Sequence, residues 1–120
     1  MTGTVDAEGR ALLTIDLRHA AGSPSTPIVA WIDTAFSADL VIPRAQNASL
    51  ALPVAQSVRS ILGDGSMVEL DTYRADLDWF GTRRQIEVIA NDGRFPLLGV
   101  GLLRGRILRI DYAAGTLTLD

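Results

Sequence analysis

The feature that most constrains this chain is a period of two. Leu13, Ile15 and Leu17 alternate with Thr14, Asp16 and Arg18, and Tyr73, Ala75, Leu77 and Trp79 alternate with Arg74, Asp76 and Asp78. Ile86, Val88 and Ala90 share one face of Gln85 to Ala90. Side chains two apart face the same way only in extended backbone, so each run reads as a half-buried strand. Leu108, Ile110 and Tyr112 form one face of another strand; Ala113-Ala114-Gly115 turns, and Leu117 and Leu119 return. Ile28 to Ile32 is continuously apolar, as in a strand covered on both faces. Ala38 to Ile42 reads as a further strand that Pro43 stops, and Pro43 to Leu50 as a short helix with the proline in its first turn.

The punctuation fits this reading. Ala21 to Pro27 is a loop by its Gly, Ser and Pro content. Asp64-Gly65, a strong hairpin signal, sits at the centre of Ser60 to Leu70. Gly81-Thr82 marks the next turn and Asn91-Asp92-Gly93 a loop. Leu97-Leu98-Gly99 opens a short apolar stretch suited to one or two helical turns. The fold class is therefore all-β with one or two short helices, closing into a barrel or sandwich. No boundary, repeat or low-complexity tract interrupts residues 1–120, which read as a single domain.

Composition removes several chemistries. The chain has no cysteine and one histidine, His19, so thiolate metal sites, disulfides and multi-histidine metal sites within one chain are excluded. A Ser-His-Asp triad would have to use His19. No metal or other cofactor is expected. A net charge of −3 gives no reason to expect nucleic acid or an anionic membrane as partner. No apolar run approaches the about 20 residues of a membrane helix. The start, MTGTVDAEGR, is polar and carries two acids, unlike a signal peptide, and with the missing cysteines this points to the cytoplasm.

One stretch does not fit a purely structural reading. In AWIDTAFSADLVIP, Ala30 to Pro43, an apolar run drives straight into Asp33-Thr34. Aspartate commonly ends strands and starts turns. Here, however, Asp33-Thr34 is followed in order by a Gly-containing hairpin at Gly63-Asp64-Gly65 and by the apolar-apolar-Gly step Leu97-Leu98-Gly99. The words WIDTAFSADLVIP, ILGDGSMV, LDWFG and LLGVGLLRG span most of the chain. This ordered set resembles the single-lobe aspartic proteases of the retropepsin type, nearest to the small bacterial and archaeal group with Asp-Thr-Gly-Phe in the active loop.

That resemblance implies a small closed β-barrel, a symmetric homodimer and cleavage of extended peptide or protein substrates. It implies one catalytic Asp33 from each chain, with Thr34 locking the two loops across the two-fold axis. Gly63, Asp64 and Gly65 would form a flap over substrate, and Leu98 and Gly99 would support the active loop. The sequence adds its own argument for the dimer: with a single Asp-Thr-small motif, one chain cannot build a two-carboxylate site. Ala35, beside the implied substrate path, stands where the family usually has glycine, a residue used at positive φ or close backbone approach. Three readings stay open: a homodimeric endopeptidase, a peptide-binding module of the same fold, and an unrelated β-barrel in which Asp33 only shapes a turn. The other prominent residues have structural readings. Trp31, Trp79 and Phe80 suit a core or dimer contact, His19 an exposed strand end, Arg83-Arg84 a solvated strand start, and Asp76 and Asp78 a solvated strand face.

Overall fold

The computed structural model describes residues 1–61 and 63–120, with side chains for all of these except 57–61 and 68–70. Leu62, within the ILGDGSMV word, lies outside the described residues. In chain order the elements are β1 (Thr2–Val5), β2 (Ala11–Arg18), β3 (Thr26–Ile32), β4 (Leu40–Pro43), α1 (Arg44–Leu50), β5 (Val54–Ile61), β6 (Met67–Trp79), β7 (Thr82–Asn91), β8 (Leu97–Leu98), α2 (Val100–Leu103), β9 (Leu108–Asp111) and β10 (Thr116–Leu119).

The strands bond in the order β5-β6-β7-β4-β8-β3-β2-β1-β10-β9, and a further pairing of β6 with β2 closes six of them into a ring. Strand β2 makes this possible by changing partner along one edge. Thr4 and Val5 of β1 face Leu12 and Ala11 at its start, while Asp76 to Asp78 of β6 face Arg18 to Asp16 at its end. Closure gives these six strands a partner on both sides and leaves β5 and β9 at the ends of the sheet. Alternation delivers one apolar side chain in two to the interior. Leu13, Ile15 and Leu17 of β2, Ile28, Ala30 and Ile32 of β3, Leu77 and Trp79 of β6 and Ile86 and Val88 of β7 join one buried cluster with Leu98, Leu102, Leu117 and Leu119. Burying a side chain of this size contributes roughly 1.5–3 kcal/mol.

The structure departs from the sequence reading at several points. Strand β3 is covered on one face only: Val29 is 50% exposed and Trp31 38%, because their neighbours Ile28, Ala30 and Ile32 take the inward positions. Pro43 is the last residue of β4 and the N-cap of α1, not a member of its first turn. Leu97-Leu98 is strand, since pairing with both β3 and β4 outweighs local apolar content; only Val100–Leu103 is helical. The β6–β7 turn is Phe80-Gly81, one residue earlier than Gly81-Thr82. Trp79 faces Thr82, and φ of +50° and +80° at the two central residues is the pattern of a two-residue hairpin turn that matches strand twist. Tyr112 follows β9 and is 67% exposed, so it does not extend the Leu108–Ile110 face. Strand β1 has no clear apolar alternation and was not anticipated; its pairing with β10 and β2 makes it a strand.

Helix α1 ends at Ala51, in left-handed backbone (φ 53°, ψ 40°), its N–H donating to the Ala48 carbonyl at 3.3 Å. An L-residue pays about 1–2 kcal/mol there and glycine almost nothing. Ala51 is exposed, so no packing offsets this cost. Ala51→Gly is expected to raise stability by about 0.5–1 kcal/mol after the extra freedom of glycine in the unfolded chain is subtracted. A higher urea midpoint at unchanged slope is the readout.

Candidate active site

Asp33 follows the last residue of β3, where the chain must leave the sheet and return as β4. Its N–H donates to the Leu98 carbonyl at 2.9 Å, one register step beyond the Trp31 N–H, which donates to the Pro96 carbonyl at 2.9 Å. The Asp33 carbonyl accepts from the Phe36 N–H at 3.2 Å, closing a turn. Within that turn the Asp33 carboxylate Oδ1 accepts from the Ala35 N–H at 2.9 Å. This is the local turn that aspartate makes readily. The loop's own backbone thus holds one carboxylate oxygen, while Oδ2 has no protein partner among the described residues. Asp33 is half-buried; Thr34 and Ala35 are exposed.

The residue that departs from the family pattern is unstrained. The non-glycine residues with positive φ among those described are Ala51 and Phe80, so Ala35 occupies ordinary backbone. Glycine's conformational freedom is not needed at this position, and the alanine N–H makes the bond to Oδ1.

Beneath the loop lies β8 with the start of α2. Leu97 and Leu98 pair in parallel with Trp31 and Ile32, and antiparallel with Val41 and Leu40. Three successive amides then reach the arch above: Gly99 donates to the Asp39 carbonyl at 2.9 Å, Val100 to Phe36 at 2.7 Å and Gly101 to Ala38 at 3.1 Å. A Cβ on Gly99 would overlap the Ala38 carbonyl oxygen and approach the Phe36 carbonyl oxygen to 2.7 Å. A Cβ on Gly101 would overlap the Asp39 carboxylate. Leu98, fully buried, and Gly99 lie under the Asp33 loop. Gly101 shares this task and was missed; the Gly-Val-Gly spacing was its only signal.

Asp33, Thr34 and Ala35 line an open depression of about 390 Å³ with Trp31, Ile32 and Leu97. The Trp31 ring meets Phe95 edge to face, centroids 6.2 Å apart, and the Arg10 guanidinium lies 4.2 Å from the Phe95 centroid. Arg10 is itself fixed by Asp6, Nε to Oδ2 at 2.6 Å. The Arg10 backbone N–H, then its guanidinium and the Glu8 N–H, hold the Asp6 carboxyl below its ordinary pKa against the opposing effect of desolvation. One wall of the depression is thereby braced by an aromatic pair and a cation.

The hairpin residues Gly63, Asp64 and Gly65 do not line this depression and are exposed. Their turn is self-contained. Asp64 Oδ1 accepts from the Ser66 hydroxyl at 2.6 Å and the Ser66 N–H at 2.9 Å, and Gly65 takes φ +85°. Among the described residues no cluster of three or more His, Asp or Glu side chains suits a metal ion.

No family model matches the chain, and no curated protein sequence matches it either. Solved structures do. A retropepsin-like aspartic protease from Rickettsia conorii aligns with a TM-score of 0.63 at 17% identity, over 99% of this chain and 88% of that one. EIAV protease, solved with the inhibitor HBY-793, aligns with a TM-score of 0.59 at 19% identity, over 84% of this chain and 91% of that one. The chain has the retropepsin-like fold. The ten-strand mixed sheet with ring closure and two short helices is therefore the expected barrel type, reached at an identity that speaks to fold alone.

Two predictions follow from this geometry. Gly99→Ala should lower stability by about 3 kcal/mol, since backbone must move to admit the methyl. Gly63→Ala, where a Cβ meets nothing within 4 Å, should stay within about 0.5 kcal/mol; urea unfolding of both variants checks the contrast. In the hairpin, the Ser66 hydroxyl and then its N–H hold the Asp64 carboxyl below the ordinary value of 3.8. A depressed folded pKa means that this contribution is present above the unfolded value and fades as pH falls through the lowered one. Ser66→Ala should raise the Asp64 pKa, as read by NMR titration of the side-chain carboxyl.

Proposed function

We propose that two copies of this chain form a symmetric aspartic endopeptidase in which the Asp33 carboxylates meet on the two-fold axis. The observation that carries this reading is the Asp33 loop itself. A half-buried carboxylate, held through one oxygen and without a partner at the other among the described residues, opens into a depression on a retropepsin-like fold, and each chain supplies one such loop. Two carboxylates about 3 Å apart hold a single proton over a window of pH, a behaviour long established for aspartic-protease dyads.

The chemistry follows from that shared proton. The ionised carboxylate takes a proton from a water whose oxygen attacks the peptide carbonyl carbon. The protonated carboxyl donates to the carbonyl oxygen as the tetrahedral intermediate forms. Collapse breaks the C–N bond, with a proton passing to the leaving amine. No covalent enzyme intermediate is required. Thr34, exposed next to Asp33, is the residue to bond across the axis, and the Gly63 to Gly65 turn is the segment to close over an extended peptide. Leu98 and Gly99 hold the loop from below. The ordinary φ of Ala35 favours this reading over a peptide-binding module that has lost its chemistry.

The dimer has a supporting feature at the end of the sheet. Strand β9 pairs with β10 alone among the described strands, and Ile107 and Tyr112, which flank it, are 68% and 67% exposed. An open edge flanked by apolar side chains suits a second copy.

Cleavage of an unbiased peptide library from about pH 4 to pH 7 is the test, with Asp33→Asn alongside. The asparagine variant should remain a dimer by sedimentation and lose at least ~10²-fold in kcat, the lower range of acid–base catalysis. Equal cleavage by variant and wild type would overturn the proposal. Ala35→Gly should leave kcat within about threefold, less than 1 kcal/mol of barrier.

A further inference from the structure

A second open depression, of about 320 Å³, lies where the loop after β2 meets β6 and β7. It shares no lining residue with the Asp33 depression. His19, Ala20 and Ala21 of that loop and Pro53, just before β5, contribute its walls. Hydrogen bonds hold these walls in place. Arg18 Nη1 donates to the Ser23 carbonyl at 2.6 Å. The Ser23 hydroxyl accepts from the Ala20 N–H at 3.2 Å and donates to the Ala20 carbonyl at 2.7 Å. The Pro53 carbonyl accepts from the Arg74 N–H at 2.9 Å.

The depression also brings together two opposite charges and an amide, all accessible: Arg74 and Gln85 are exposed and Asp76 is half-buried. Arg74 and Asp76 stand two apart on one face of β6, about 7 Å apart at Cα. Gln85 of β7 is directly opposite Asp76. The ion pairs among the described residues use neither Arg74 nor Asp76. Their cross-strand neighbours bond elsewhere. Arg18, opposite Asp76 on β2, gives Nη2 to Asp78 Oδ2 at 3.1 Å. Glu87, opposite Arg74 on β7, accepts from Gln56 Nε2 at 3.2 Å. A strand face that only met water could carry the same residues. Here the loop after β2 and Pro53 turn that face into a depression.

We propose that this depression binds a free α-amino acid with a short aliphatic side chain. Its carboxylate pairs with the Arg74 guanidinium, whose planar fork matches a carboxylate. Its ammonium pairs with the Asp76 carboxylate and donates to the Gln85 side-chain oxygen. Its side chain packs against Ala20, Ala21 and Pro53. The ligand has to carry both charges, because an anion alone would face Asp76 and a cation alone would face Arg74. An α-amino acid holds ammonium and carboxylate on one carbon, so a single small molecule answers both. The volume is at the lower end of the roughly 300–1,000 Å³ of small-molecule pockets, which suits a ligand of this size. The site is independent of the reading of Asp33.

The test is an NMR titration of the ¹⁵N-labelled full chain with L-valine, and in parallel with N-acetyl-L-valine, which lacks the ammonium, and L-valinamide, which lacks the carboxylate. Valine should shift the backbone signals of Arg74, Asp76 and Gln85 saturably, with each derivative at least ~10-fold weaker. Asp76→Asn should weaken valine at least ~5-fold and leave N-acetylvaline unchanged or tighter. Arg74→Gln should weaken valine to the same degree and leave valinamide unchanged or tighter. The proposal is overturned if valine gives no saturable shift up to ~50 mM, if either derivative binds the natural chain as well as valine does, or if both variants bind valine like the natural chain. Should a variant fail to fold, the comparison of the three probes on the natural chain decides alone.

Discussion

Two residues of strand hold the Asp33 loop of this protein. Leu97 and Leu98 are inserted between β3 and β4, parallel to one and antiparallel to the other. The chain from Asp33 to Asp39 must therefore arch over them, and the next three amides bond to the carbonyls of that arch. Each bond contributes only about 0.5–1.5 kcal/mol net. Their effect is geometric: Asp33 is pinned at its N–H by Leu98, and its loop by Gly99, Val100 and Gly101. Gly99 is needed because arch and floor are in backbone contact, and a methyl group on Gly101 would overlap the Asp39 carboxylate. The position of the carboxylate thus depends on residues more than sixty positions away in sequence.

The ring of strands makes this arrangement rigid, and the hairpin stands apart from it. Strands β3, β4 and β8 all belong to the closed set, with their inward side chains in one core. Strand β5 lies outside the ring and pairs with β6 at the end of the sheet. At the hairpin tip a Cβ on Gly63 or Gly65 would meet nothing, while one on Gly99 would meet backbone at once. The Asp33 carboxylate is thus carried on the closed, packed part of the molecule, and the segment proposed to cover it lies at a hairpin where a Cβ on Gly63 or Gly65 meets nothing within 4 Å.

The sequence was most legible where burial is one-sided and regular. Strands β2, β6 and β7 could be read from their alternation because a solvated face opposes a buried one along each. Helix α1 could be read from Pro43 and the residues after it. Long-range pairing hid the rest. Thr2–Val5 contains a glycine between two threonines and is strand only because β10 and β2 flank it. Leu97-Leu98 has no local reason to be extended; its partners supply one. The run Ile28 to Ile32 could not reveal that Val29 and Trp31 face outward, since apolar residues on both faces look alike whether the outer face is covered or bare. Asp33, Thr34 and Ala35 were found by motif, and the structure gathers them in one depression. Trp31, Ile32 and Leu97, which complete it, carry no motif, and Gly63 to Gly65 lie elsewhere in this single chain.

The structural and chemical readings of Asp33 turn out not to compete. The acid does form a turn, with Oδ1 bound to the Ala35 N–H, as a strand-ending aspartate should. Asparagine or serine could make that bond too, so the turn alone does not account for a carboxylic acid. What distinguishes aspartate is the second oxygen and the ability to gain and lose a proton. Among the described residues Oδ2 has no protein partner, and half-buried Asp33 lines its depression together with Trp31, Ile32 and Leu97. The turn fixes the direction of the group by using one oxygen, and the same turn leaves the other available. An alanine at position 35 is compatible with both, because the bond needs a backbone N–H and no special φ. Local structure thus orients the acid, and under the proposed function a single chain supplies half of a two-carboxylate site.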